Sequence, residues 1–216
     1  MSTKIKICGL TRSEDVQLAA GSGADLLGFV FARSPRRVTP EKVVQICQDL
    51  PEQVLKVGVF VDAPLAEIKE IAAFCHLDLL QLHGSEDDVY CRALSEFSLI
   101  RVLRLGGKLQ FVVKPANKNL WATLLDTWLP DQAGGGGRVF DWQLAEPFAG
   151  SRFLLAGGLT PDNVTTAITQ IRPFGVDVSS GVEAAPGIKD REKIARFINA
   201  VKEADKLNIS ITEQVK

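Results

Sequence analysis

Residues 4–11 read KIKICGLT. Lysine and isoleucine alternate up to Cys8, the pattern of a strand with one face in a core, and Gly9 then opens a loop. Cys8 thus ends a strand, where a thiol can act as a base or a nucleophile. If the chain forms a parallel barrel, the strand ends converge on one mouth and hold such side chains rigidly while the loops beyond them vary.

Working outward, Thr11-Arg12-Ser13-Glu14 has the form of a capping box, and Val16, Ala19, Ala20 and Gly23 follow at helical spacing. Residues 25–31 (DLLGFVF) read as a buried strand and 32–38 (ARSPRRV) as a polar loop. Thr39-Pro40 then caps a helix with the stripe Val43, Ile46, Cys47 and Leu50. The cycle repeats, with strands expected at 55–61, 79–83, 99–105, 122–128, 153–156 and 175–179. Helical stripes follow at Ile68, Ile71, Ala72 and Cys75, at Tyr90, Ala93, Leu94 and Phe97, at Val164, Ala167, Ile168 and Ile171 after Thr160-Pro161, and at Ile194, Phe197, Ile198 and Val201. Residues 106–119 contain Pro115 and little period, so the fifth helix is expected to be short or irregular. Residues 130–138 form a glycine-rich loop, with a short helix starting at Phe140-Asp141-Trp142. Residues 205–216 lie past the last stripe as a C-terminal tail.

Strict alternation of strand and helix requires a parallel sheet with right-handed crossovers. Eight repeats in 216 residues favour a single (β/α)8 TIM barrel of the α/β class, one domain over 1–216, above an open doubly wound sheet. The 25 basic and 26 acidic residues nearly cancel, with no long block of either sign, so no footprint for nucleic acid or an anionic membrane appears. Apolar runs reach about a third of the roughly 20 residues a membrane span needs. Cys8, Cys47, Cys75 and Cys91 show neither C-x-x-C nor zinc spacing, and no secretory segment is read at the start, which points to a reducing cytoplasm.

Candidate chemistry gathers at the strand ends. Asp126 ends the sixth strand among apolar neighbours, where a carboxyl with a raised pKa can donate a proton; the alternative is a helix or loop cap. Gly157-Gly158-Leu159 and Ser179-Ser180-Gly181 follow the seventh and eighth strands, where barrels commonly bind phosphate through backbone N–H groups; alternatively they are only tight turns. By strand parity Lys6 shares a face with Cys8 and can favour its thiolate, or pair instead with an interior carboxylate. Gln81 shares a face with His83, and Asp177 with Ser179, as ligand contacts at the top of apolar strands; His83 can equally be a satisfied loop-edge histidine. Arg36 and Arg37 can clamp a carboxylate or remain solvated. Cys47, Cys75 and Cys91 lie on helices as packing, and two histidines are too few for a histidine metal site.

KICGLT, GADLLGFVF with SPRRVTP, VGVFV, LLQLHG, LLDT followed by the glycine-rich loop and FDW, AGGLTPDNV and VDVSSGVEAAPGIKD together resemble the phosphoribosylanthranilate isomerases of tryptophan biosynthesis, over nearly the whole chain. The resemblance implies a cofactor-free Amadori rearrangement of a small-molecule phosphoribosyl substrate, with Cys8 as general base and Asp126 as general acid. It also implies Arg37, rather than Arg36, on the anthranilate carboxylate, Asp177 on the sugar hydroxyls, and the backbones of Gly157, Gly158, Ser180 and Gly181 on the phosphate. A monomer or homodimer is expected, with no metal, nucleic-acid or membrane partner. Departures are local: the weak fifth helix, four glycines at 134–137 whose composition suggests a lid, and the longer tail. Related phosphate-binding barrels fit less well: indole-glycerol-phosphate synthase needs a lysine and glutamate in motifs absent here, and pentose-phosphate epimerases need a metal. Isomerases of histidine biosynthesis run the same rearrangement with two aspartates, so Cys8 discriminates against them. A non-catalytic phosphosugar-binding barrel would be expected to have lost Cys8 or Asp126.

Overall fold

In the computed structural model, which describes residues 2–105, 118–127 and 142–214, the strand at the start of the chain, β1 (Lys4–Cys8), closes a ring. It pairs in parallel with β2 (Leu26–Val30) on one side and with β8 (Gly175–Val178) on the other. Between them run β3 (Leu55–Phe60), β4 (Leu79–Leu82), β5 (Ser98–Leu105), β6 (Leu120–Thr127) and β7 (Phe153–Leu155), giving a closed barrel in chain order. Helices α1 (Ser13–Ser22), α2 (Pro40–Ile46), α3 (Leu65–Cys75), α4 (Asp88–Ala93), α5 (Val164–Ile171) and α6 (Arg191–Gln214) supply crossovers, with a 3-10 helix at Trp142–Phe148 before β7. The expected fifth helix falls largely on 106–117 and the glycine-rich loop on 130–138, both outside the described residues.

The period-2 pattern divides each strand between two cores. Ile5, Ile7, Leu27, Phe29, Phe60 and Leu80 face outward and pack under the helices with Val16, Ile68, Ile194 and Phe197. Leu26, Val57, Leu79, Ile100, Ala122, Leu124, Leu154 and Ala156 face inward and fill the barrel. This apolar plug forces the polar inward residues toward the strands' C-terminal ends, so the functional mouth is the upper rim. At the opposite end, the Arg152 guanidinium lies 4.4 Å from both the Trp121 and Phe174 rings, a cation–π stack across the base.

Local chemistry departs from expectation in three places. The Thr39-Pro40 start is as read, Thr39 Oγ1 accepting from Lys42 N at 3.2 Å. Thr11, however, caps nothing: its hydroxyl donates to Gly187 O at 2.6 Å, and α1 begins after Arg12, whose side chain bonds Asp15 twice, at 2.9 and 2.8 Å. The hydroxyl is committed to the hairpin of β9 (Glu183–Ala185) and β10 (Ile188–Lys189), which no local pattern reveals. On α4 the buried position is Cys91; the helix stops at the exposed Ala93, and Leu94 is buried as its cap, so the expected stripe does not continue along one helix.

The third departure is the tail. Residues expected to lie past the last helix continue α6 as far as Gln214. Asp205 is the reason the chain keeps this course: its carboxylate accepts from Thr3 N at 2.8 Å and Thr3 Oγ1 at 2.6 Å, tying the last helix to the residue before β1. Hydrogen bonds to a charged group contribute more than neutral ones. Asp205→Ala is therefore expected to cost about 1–3 kcal/mol in urea unfolding; an unchanged midpoint would show that the tie is ornamental to barrel closure.

Candidate active site

Cys8 points into the barrel with Lys6 below it. Lys6 is fully buried, and its ammonium donates to Asp177 Oδ1 on β8 at 2.8 Å. Burial by itself would strip the proton from Lys6, but the Asp177 charge, with a smaller contribution from Cys8, more than offsets it and holds the ammonium charged. For Cys8 the balance falls the other way. Burial pushes the thiol above its ordinary value, and the Lys6 ammonium pulls it down without fully offsetting the rise. Of the two sequence alternatives for Lys6, the pairing with an interior carboxylate is realised, and the same ammonium lies against the Cys8 thiol.

Space for this arrangement comes from Gly28 on β2. A Cβ there would lie 2.7 Å from Cys8 Sγ and 3.1 Å from Lys6 Nζ, so only glycine leaves room for both side chains. The other thiols have no comparable setting. Burial pushes Cys47 up to about 12 and Cys75 up to about 11, and Cys91 is wholly buried on α4, as expected of packing residues.

Across the ring, Asp126 stands on β6, three strands from β1 by way of β7 and β8. His83, just past β4, places Nε2 3.3 Å from Asp126 Oδ2, while Gln81 Nε2 lies 3.0 Å from His83 Nδ1. The predicted shared face of Gln81 and His83 is therefore realised, and it leads to the carboxyl group. Among the described residues no group of three or more His, Cys, Asp or Glu could hold a metal ion.

The arginine at the mouth is Arg36. Its Cδ would meet a Cβ on Gly9 at 2.6 Å, beside Ser179 Oγ at 3.0 Å, and its charge interacts with Cys8. Arg37, the expected carboxylate clamp, is exposed, with its backbone bridged to Val30. The physical difference is Glu183. This buried carboxylate accepts from Arg36 Nε at 2.8 Å and NH2 at 2.7 Å, and from Lys189 Nζ at 2.8 Å. Burial would raise Glu183, but the two donors outweigh it and hold the carboxyl below its ordinary range. Two cations share one anion, so this side of the mouth carries net positive charge. Asp177 has one oxygen committed to Lys6 and a side chain 11% exposed, which leaves its second oxygen as the candidate for a ligand hydroxyl.

The two glycine turns meet. Gly157 and Gly158 have φ of 79° and 67°, in the left-handed region, and Gly158 O accepts from Asn163 Nδ2 at 2.9 Å ahead of α5. Ser180 and Gly181 lie in a 3-10 turn, Ser180–Val182. A Cβ on Gly181 would stand 1.9 Å from Leu159 O, so glycine is required for the two loops to touch. Sequence reading overlooked Gly28, Glu183 and Lys189. Glycine inside an otherwise apolar strand was the available signal for Gly28; the other two lie in a hairpin whose pairing no period announces.

A family model described as N-(5'phosphoribosyl)anthranilate (PRA) isomerase matches residues 5–200. The N-(5'-phosphoribosyl)anthranilate isomerase of Pelobacter propionicus is 47% identical over 202 residues, covering 93% of this chain and 96% of the relative. A phosphoribosyl anthranilate isomerase solved in complex with reduced 1-(o-carboxyphenylamino)-1-deoxyribulose 5-phosphate is 38% identical with a TM-score of 0.82, covering 93% of this chain and 99% of the other. Monomers derived from the dimeric isomerase of Thermotoga maritima are 37% identical with a TM-score of 0.80 over the same shares, 93% and 99%.

The fit around Gly28 is directly testable. Where a strand has room, Gly→Ala is neutral or stabilising. Here Gly28→Ala is expected to destabilise by about 1–3 kcal/mol through overpacking, read from urea midpoints, and equal or higher stability would mean that Lys6 and Cys8 do not crowd this wall.

Proposed function

The chain belongs to the N-(5'-phosphoribosyl)anthranilate isomerase family, and we propose that Cys8 and Asp126 are the base and acid of its reaction. As a member it is an isomerase of tryptophan biosynthesis, converting N-(5'-phosphoribosyl)anthranilate to 1-(2-carboxyphenylamino)-1-deoxyribulose 5-phosphate. The observation that carries the assignment is the pair of inward groups at the rim, a thiol on β1 and a carboxyl on β6, in different electrostatic settings.

Asp126 gives its proton to the furanose ring oxygen. The C1–O bond breaks as the nitrogen lone pair forms C1=N, opening the ring to a Schiff base. The Cys8 thiolate then takes the C2 proton; the C–H electrons form C1=C2 and the C=N electrons return to nitrogen, giving an enolamine. Its tautomerisation delivers the C2 ketone and a proton to C1. C2 is oxidised and C1 reduced within one molecule, so no external oxidant or reductant is needed.

Substrate placement follows the charge pattern. Arg36, held by Glu183 through Nε and NH2, turns its remaining N–H groups to the anthranilate carboxylate. The backbones of Gly157, Gly158, Ser180 and Gly181 receive the phosphate, and the second oxygen of Asp177 a sugar hydroxyl. A monomer or homodimer in the cytoplasm accords with a biosynthetic enzyme in which no described helix is long and apolar enough to cross a membrane.

Following the loss of substrate fluorescence tests this reading. Cys8→Ala and Asp126→Asn are each expected to lose about 10²–10⁴-fold in kcat while still binding the reduced product analogue, and Arg36→Ala to raise KM more than Arg37→Ala does. Because burial holds the Cys8 thiol above its ordinary value, kcat/KM limited by the thiolate rises with pH through the neutral range. A wild-type protein that binds the analogue without turnover would instead be a phosphosugar-binding barrel.

A further inference from the structure

Gln81 is almost wholly buried, at 1% exposure, inside the barrel on β4. Its Nε2 lies 3.0 Å from His83 Nδ1, yet its Oε1 is buried with no hydrogen-bond partner among the described residues. An orphaned acceptor in a core costs stability, so an amide kept there needs a reason beyond packing. A methionine of similar shape would fill the same space without that cost.

The reason lies in what the amide does to the ring. An amide N–H can only donate, so Nδ1 must accept, and the proton of the neutral imidazole resides on Nε2. That nitrogen is the one 3.3 Å from Asp126 Oδ2. The His83 backbone is fixed as well, its carbonyl accepting from Arg104 NH2 at 2.8 Å. With the opposite tautomer, Nε2 would be an acceptor and would compete with substrate for the proton on Asp126.

We propose that Gln81 is a positioning residue whose amide holds His83 as a donor to Asp126, stabilising the carboxylate that forms as Asp126 gives its proton to substrate. This rests on the assignment of Asp126 as the general acid. A hydrogen bond to a carboxylate is stronger than one to a carboxyl, so the contact gains strength as charge develops and acts on the transition state more than on the bound substrate. The His83–Asp126 separation, 3.3 Å, is long for a hydrogen bond, as catalytic contacts are in ligand-free sites.

The chain has two histidines, so nitrogen-15 spectra of the labelled protein, with His76→Gln for assignment, read the His83 tautomer without any turnover. The wild type is expected to carry the ring proton on Nε2. Gln81→Met is expected to lose that preference and about tenfold in kcat, with KM little changed and a melting temperature no lower than wild type. Gln81→Glu supplies an acceptor in place of the donor and is expected to move the ring proton to Nδ1, with kcat again reduced, which keeps the test decisive if the methionine variant folds poorly. A wild-type proton on Nδ1, or a Gln81→Met protein with unchanged tautomer and kcat, would overturn the proposal. An inert wild type with its proton on Nε2 would overturn instead the acid role of Asp126 on which it rests.

Discussion

The Lys6–Asp177 ion pair is the constraint to which the mouth of this barrel conforms. An ammonium with no exposed surface is sustained only by a close carboxylate, and removing one member of such a pair leaves an uncompensated charge that costs about 3–5 kcal/mol. The pair also bridges β1 and β8, whose register sets Lys6 opposite Asp177 at the seam where the barrel closes. Placed one inward position below Cys8, it holds a fully buried cation against the thiol. Gly28 follows from it, since the neighbouring strand must surrender a side chain to make space.

Charge is divided unequally around the rim. Lys6 and Asp177 neutralise each other, whereas Arg36 and Lys189 share Glu183, leaving the β1, β2 and β8 side positive. That positive side is the one that surrounds Cys8. The β4 and β6 side is built from Gln81, His83 and Asp126, groups suited to holding and releasing a proton. The glycine loops after β7 and β8 stand between the two, packed so closely that a single methyl group on Gly181 would separate them. One fold thereby keeps a thiol and a carboxyl group in different surroundings at one rim.

Much of this was legible because strand parity carries it. Alternation in KIKIC placed Lys6 and Cys8 on one face, and the same rule joined Gln81 to His83, while the largely apolar run 122–125 set Asp126 at a strand end. Loop chemistry was not legible in the same way. Nothing periodic distinguishes Arg36 from Arg37; what separates them is Glu183, which lies 147 residues away in sequence. Thr11 shows the same limit, its hydroxyl taken by Gly187 in place of the helix it precedes. The course of α6 beyond residue 205 was likewise decided by a contact to Thr3 that a helical stripe cannot reveal.

That the ion pair governs the thiol is tested most directly by titrating Cys8 itself, as the thiolate absorbance of the wild type minus that of Cys8→Ala. The same difference is measured in a Lys6→Met, Asp177→Asn background that removes both charges together. The midpoint is expected above the ordinary thiol value of 9.0, and higher still without the pair, because the attraction of Lys6 outweighs the repulsion of Asp177. A midpoint below that value, or one that does not move when the pair is removed, would contradict the assignment.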